Sequence, residues 1–280
     1  LLKEDYPNFD IIFVDDGSKD NTLASVHSVF DGNEKVNILT KVNGGKASAL
    51  NYGIGHTEAE FVVCIDADTQ LRPDAVRKLM QHFLLDKKHR IGAVAGNVKV
   101  GNQQNMLTRW QAIEYTTSQN FDRMAYSYIN AITVVPGAIG AFRKEAIDKA
   151  GGLSTDTLAE DCDLTMRIVE SGYVIENENY AVAMTEAPET VPQFIKQRVR
   201  WCFGVMQTFW KHRSSLFNPK EKGFGLWAMP NMLVFQYVIP TFSPLADIMM
   251  IIGLCSGNAM QILAYYLIFL AVDASVSILA

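Results

Sequence analysis

The chain has 280 residues, 49% of them apolar and 20% charged, enough for one large core or two modest ones, and carries a formal charge of −5. This acidic balance argues against nucleic acid as a partner. Four scattered cysteines, Cys64, Cys162, Cys202 and Cys255, with no CxxC pair, argue against a sulfur-held metal or a disulfide framework, and no signal peptide is visible, so the polar part reads as a reduced, cytosol-facing domain.

In chain order, residues 1–10 (LLKEDYPNFD) read as a connecting segment. A short β-rich run, DIIFV (10–14), halts at Asp15-Asp16-Gly17-Ser18, and helical spacing begins at Asn21 and Thr22. VNILT (36–40) predicts a second strand, followed by the turn NGG and a helix over about 46–55. FVVCI (61–65) predicts a buried strand running into Asp66. In RPDAVRKLMQHFLLD, Pro73 suits the first turn of a helix and Asp74 its N-terminal dipole. IGAVAGNVKV (91–100) is strand-like. Strands alternating with helices predict βαβ units and a mostly parallel sheet, with ligands bound beyond the carboxyl ends of the strands. Asp15–Asp16 and Asp66–Asp68 both fall at such ends.

Asp66-Ala67-Asp68 places two carboxylates two residues apart, which in extended chain point to one side. Their repulsion asks for a cation, and a hard divalent ion such as Mg²⁺ or Mn²⁺, able to bridge a diphosphate, fits oxygen ligands. CIDADT also looks like the nucleophile motif of haloacid-dehalogenase-type phosphatases, but that reading leaves Asp15–Asp16 and a later QRVRW segment unused and lacks a downstream Gly-Asp-x-x-x-Asp. A carboxylate at Asp15–Asp16 can accept hydrogen bonds from a nucleobase or ribose, or serve only as a helix start beside a turn glycine. NGGKASALNYG (43–53) lacks P-loop spacing, although Lys46 at a helix N-terminus suits an anionic ligand. In AEDCDL (159–164), Asp161 opens a helix ending at Gly172, where it either complements the dipole or takes a proton from an attacking hydroxyl.

Near the end, Lys196, Arg198, Arg200, Lys211, Arg213, Lys220 and Lys222 stand against Glu221 alone. Such a cluster ahead of apolar chain reads as cytoplasmic flank, drawn to anionic lipid. From 226 to 280 the only charges are Asp247 and Asp273. Residues 260–280 are long enough to span a bilayer, and 226–254, broken by Pro230, Pro240 and Pro244, reads as one kinked span or an interfacial piece followed by a span. The chain opens in connecting segment and stops in an apolar run, so it is expected to be a fragment of a longer membrane protein, missing at least one strand in front.

The order DDGS, DAD, AED, QRVRW resembles the processive, membrane-embedded family-2 glycosyltransferases, such as cellulose, chitin and hyaluronan synthases, over about residues 1–213. TEAPET before QRVRW and WCFGVMQTFWKHR after it look most like the poly-β-1,6-N-acetylglucosamine synthase group. The resemblance implies a GT-A fold over 1–212 with its first strand missing, a basic interfacial linker at 213–225, and a membrane region at 226–280. It implies Asp15, Asp16 and Lys46 at the nucleotide, and Asp66 and Asp68 on the diphosphate and its Mg²⁺ or Mn²⁺. Asp161 would be the general base. Gln197 and Arg200 would bind the donor, with Gly137, Ala138, Glu160 and Trp201 on the acceptor side. Ala159 stands where many relatives carry Thr.

The expected activity is inverting, processive transfer of N-acetylglucosamine from UDP-GlcNAc to a β-linked biofilm exopolysaccharide, by a multi-pass cell-membrane enzyme with a cytoplasmic catalytic domain. Partners would be the UDP-sugar, the polysaccharide and the bilayer, with a small membrane subunit or fused domain left open. Alternatives are a cellulose- or hyaluronan-type synthase, non-processive transfer to a lipid-linked acceptor, and a silent nucleotide-sugar-binding module. On a helix, Gln197, Arg200 and Trp201 share a face, while Lys196 and Arg198 lie elsewhere and are expected at lipid headgroups.

Overall fold

The computed structural model describes the backbone of residues 1–255 and 259–279, and all their side chains except those of 118, 243, 246, 247, 269, 270 and 272–279. Two compact units are distinguished, Leu1–Ala228 and Met229–Ala280.

In the first unit, β1 (Ile11–Asp15) and β2 (Val36–Thr40) form a two-stranded parallel sheet, linked by α1 (Thr22–Phe30) and followed by α2 (Lys46–Ile54). The larger sheet contains β3 (Phe61–Cys64), β4 (Gln70–Leu71), β5 (Ile91–Val100), β6 (Gly140–Arg143) and β7 (Val174–Thr185), in the order β3-β6-β5-β7-β4. Only β5–β7 is parallel there; β3–β6, β5–β6 and β4–β7 are antiparallel. The expected mostly parallel sheet is therefore corrected to a mixed one. β6 accounts for two of the three antiparallel pairings: it enters from an irregular loop rather than a crossover helix, and runs back between β3 and β5.

β5 is buried along nearly its whole length because neighbours flank it on both sides. α3 (Ala75–Leu85) lays one face on this sheet, burying Ala75, Val76, Leu79, Met80 and Phe83 at helical spacing. Those side chains join Val94, Val98, Val100, Ile139, Ala141 and Ala183 in one core. After β5 come α4 (Met106–Glu114), a π-helical stretch (Tyr115–Phe121) and α5 (Asp122–Tyr128). Then follow α6 (Lys144–Lys149), α7 (Glu160–Glu170) and α8 (Val191–Lys211). Asn105 caps α4 through a reciprocal box with Thr108, and Pro192 lies in the first turn of α8, where its missing N–H costs nothing.

The second unit holds α9 (Met229–Asn231), a π-helical stretch (Met232–Val238), α10 (Ile239–Cys255) with Pro244 inside it, and α11 (Ala259–Leu279). Among the described residues no helix is long and apolar enough to cross a membrane. The segment 260–280, expected to span, ends in residues outside the described ones, as do the side chains of Asp247 and Asp273.

Candidate active site

Asp15 is buried at the end of β1, accepting from the Ser18 N–H at 3.3 Å and the Thr40 hydroxyl at 3.3 Å. The Ser18 bonds, stronger than the cost of burial, lower its pKa. Asp16 accepts from Lys41 Nζ at 2.8 Å and from the Gly44 and Gly45 amides at 3.0 and 2.7 Å. Lys41 is the main cause of its lowered pKa. These contacts make Asp16 the anchor of the 43–45 loop that delivers Lys46 to the start of α2. Gly17 allows the loop to close, since at φ +74° a β-carbon there would stand 2.9 Å from the Asn43 nitrogen.

Lys46 joins three elements. Its ammonium pairs with Asp66, just past β3, and lies 3.4 Å from Glu160 at the first position of α7. Burial works to lower its pKa, but Asp66, Glu160 and Asp161 outweigh it and the net shift is upward. The Asp66–Asp68 backbone is not extended as expected: the Thr69 N–H returns to the Asp66 carbonyl at 3.0 Å, so the chain turns. The two carboxylates consequently meet different neighbours. Asp66 faces Lys46, whereas Asp68 receives the Thr185 hydroxyl, from the end of β7, at 3.4 Å.

Among the described residues no group of three or more His, Cys, Asp or Glu side chains is placed to hold a metal. Mg²⁺ rarely needs such a cage, taking one or two carboxylates and completing its shell with water and phosphate. The Lys46 ammonium against Asp66 shows that this position accommodates a cation, so the donor set fits an ion arriving with a diphosphate.

Asp161, the expected base, lies one residue beyond Glu160. Its carboxylate accepts from the Cys162 N–H at 2.8 Å and from the Gly137 backbone. Burial foremost, with Glu160, raises its pKa, against Lys46 and these two amides. The 135–139 loop is fastened to the same helix: Val135 N–H donates to Thr165 Oγ1 at 2.9 Å, and that hydroxyl donates to the Asp161 carbonyl at 2.7 Å. Ala138, expected at the acceptor, packs its methyl in the core, and Glu160 faces Lys46.

On α8, Arg198 is not at a lipid-facing surface as expected. It makes a two-pronged ion pair with Glu114 of α4, with one prong at 2.7 Å, and stacks 4.7 Å from the ring centres of Phe194 and Trp201. Trp201 is half-buried against the core and 6.4 Å from Tyr115, so its ring is already engaged. The Tyr115 hydroxyl is pushed up to about 12, chiefly by burial, with Asp68 among the charges that act on it. Gln197 Oε1 is buried with no hydrogen-bond partner among the described residues. Arg200 is exposed, and among the described residues it makes no hydrogen bond or ion pair with another candidate residue. Lys211, grouped with the lipid-facing cluster, instead pairs with Asp163 at 2.8 Å and Asp156 at 3.0 Å.

Sequence reasoning missed Arg123, a buried guanidinium on α5 that donates to the Gly96 carbonyl at 3.3 Å, is lowered to about 10 by burial, and feels the Asp161 charge. It also missed Asn51, whose side chain clasps both backbone groups of Leu153 at 2.7 and 2.8 Å.

A profile of glycosyl transferase family group 2 matches residues 61–273. The poly-beta-1,6-N-acetyl-D-glucosamine synthase of Staphylococcus aureus strain COL is 32% identical over 239 residues, covering 85% of this chain and 56% of that protein. The synthase of the same name from Staphylococcus epidermidis RP62A is 33% identical over 214 residues, covering 75% and 52%. The chain thus spans about half the length of these relatives. Among solved structures, a mannosyltransferase from Pyrobaculum calidifontis in complex with GDP-Man and Mn²⁺ superposes with a TM-score of 0.73 at 22% identity, over 99% of this chain and 74% of that one, which establishes a GT-A-like α/β fold. With the match extending over most of its length, the chain belongs to the family-2 glycosyltransferases and is an enzyme of that class.

Proposed function

We propose that the chain carries out inverting, processive transfer of N-acetylglucosamine from UDP-GlcNAc onto a growing β-linked polysaccharide, on the cytoplasmic side of a cell membrane. The observation that carries this reading is the junction at Lys46. One ammonium ties the donor-side Asp66 to Glu160, and the next residue along α7 is a half-buried carboxylate with a raised pKa. The relatives named for poly-β-1,6-N-acetylglucosamine synthesis support the choice of sugar and polymer.

In this reading Asp161 takes the proton of the acceptor hydroxyl as its oxygen attacks the anomeric carbon. The new C–O bond forms as the bond to the diphosphate breaks, and UDP leaves with the electron pair. Lys46 and Arg200 stabilise the developing diphosphate charge. Asp66 and Asp68 would hold Mg²⁺ or Mn²⁺, which supplies neutralisation of that charge when bound. Gly137, Glu160 and Trp201 border the acceptor. Asp16 sets the nucleotide-side loop, and Asp15 fixes the strand end beneath it. The apolar chain from 226 onward supports the membrane assignment, and a small membrane subunit or fused domain would complete the assembly.

Asp161→Asn tests the proposal in membranes supplied with radiolabelled UDP-GlcNAc. Polymer formation is expected to fall by about 10³-fold or more, with UDP affinity kept; wild-type polymer would remove the base. A panel of nucleotide sugars, product length on a gel and linkage-specific digestion check the sugar, the processivity and the linkage. Chelator is expected to stop transfer and added Mg²⁺ or Mn²⁺ to restore it.

A further inference from the structure

Behind the proposed base lies a charged cluster that the transfer chemistry does not use. Asp163, two residues past Asp161, is fully buried, yet receives three cations. His212 Nε2 lies 3.0 Å and Lys211 Nζ 2.8 Å from its Oδ1, while Arg167 grips Oδ2 at 2.6 and 2.8 Å. The other His212 nitrogen lies 2.8 Å from Glu170 Oε1, which also accepts from Ser215. His212 therefore spans two carboxylates about two turns apart on α7, from just past the end of α8. Such geometry requires a donor on both ring nitrogens, the imidazolium form. In keeping with that, and against the cost of its burial, the two carboxylates raise the His212 pKa to about 9.

The cluster touches both halves of the site. α7 opens with Glu160 and Asp161, and α8 carries Gln197, Arg200 and Trp201. From the same cluster, Arg167 Nη1 donates to the Gly152 carbonyl at 2.6 Å, next to the Leu153 backbone clasped by Asn51 of α2, the helix that begins with Lys46. α8 approaches α7 a second time where Gly204 packs on Ala159, the residue just before α7. Contacts along α7 and at the residue that leads into it restrain its rotation about its own axis, and that rotation sets the aim of Asp161.

We infer that His212 is a positioning residue for the transfer reaction, a bolt between α8 and the Asp163 and Glu170 turns of α7 that holds the Asp161 carboxylate in register with the α8 donor-binding face. The inference rests on the reading of Asp161 as base. Arg167 and Lys211 keep Asp163 compensated when His212 is replaced, so the fold survives while the register loosens.

The test uses the full-length protein in native membranes, comparing His212→Ala, His212→Gln and Asp161→Asn. His212→Ala is expected to lower kcat on the order of 100-fold, with KM for UDP-GlcNAc and affinity for UDP within about twofold of wild type. His212→Gln, which keeps an amide donor for one carboxylate, is expected to recover part of the loss. An inactive Asp161→Asn beside wild-type kcat in His212→Ala would overturn the positioning role and leave the base in place. An active Asp161→Asn would overturn the base and with it the bolt. Equal loss of UDP binding and transfer in His212→Ala, unrelieved by His212→Gln, would assign His212 to folding alone and overturn the proposal too.

Discussion

Gly137 leaves the Lys46 ammonium its place: a β-carbon at 137 would stand 2.5 Å from Lys46 Nζ and 3.7 Å from Asp66 Oδ1. The backbone there is not in the left-handed region, so alanine is tolerated by the main chain, and only the tip of a flexible side chain has to yield. Gly137→Ala is therefore expected to fold normally and to shift the melting temperature little. It is expected to weaken UDP-GlcNAc binding on the order of tenfold, since the displaced lysine loses one charge-assisted contact. Donor KM and a thermal melt measured side by side check this; an unchanged KM would show that Lys46 does not serve the donor.

Lys46→Met removes the cation shared by Asp66 and Glu160. UDP affinity is expected to drop on the order of 10- to 100-fold, measured by calorimetry. A second effect appears in the pH profile. Lys46 is one of the influences holding the Asp161 pKa down against burial and Glu160. If Asp161 acts as the base it must be ionised, so the acid limb of kcat is expected above the ordinary aspartate value, and in Lys46→Met at still higher pH. A limb that stays in place or moves down would separate Lys46 from the base.

His212 makes stability fall with rising pH. Its folded-state value lies above the unfolded one, so its contribution is complete below about 6.5 and disappears as pH climbs through about 9. At about 1.4 kcal/mol per pH unit, the loss is at most on the order of 3 kcal/mol. Denaturant unfolding at pH 6 and pH 10 is expected to show this decline in wild type and a flatter response in His212→Asn.

Arg198→Ala is expected to lower stability by about 1 kcal/mol, a modest figure because the Glu114 carboxylate is partly solvent-screened. It also uncovers one face of Trp201, which intrinsic tryptophan fluorescence reports as a red shift. Arg198→Lys keeps the charge but not the two-pronged geometry or the stacking, and is expected to restore the emission only in part. A double-mutant cycle with Glu114→Gln isolates the pair.

Much of the first unit was legible as local pattern. The strand IGAVAGNVKV runs from Ile91 to Val100 as read, and VNILT from Val36 to Thr40. Strand direction was not legible, because β6 is only the four residues GAFR and takes its orientation from pairing with β3 and β5. β7 escaped notice because Glu176, Asn177, Glu178 and Asn179 interrupt its apolar alternation, and its extended form comes from the parallel ladder to β5. Lys46 and Asp66 were singled out by type and position and are paired, and Lys46 also lies against Glu160, the residue before Asp161. The partners of Arg198, Lys211 and His212 were hidden, since charge spacing along a helix gives a cation's position but not the carboxylate it meets. For Asp66 and Asp68, two-residue spacing was read as extended chain, whereas the backbone turns at Thr69 and the two carboxylates meet different neighbours.

At Gly204 the backbones of α8 and the segment before α7 come so close that a β-carbon would stand 2.9 Å from both the Ala159 nitrogen and the Ala159 β-carbon. No compressible side chain lies between them to absorb motion. A tilt of α8 is therefore expected to pass with little slack to the acidic tip of α7, so that the two helices move as one lever whose short arm carries Glu160 and Asp161.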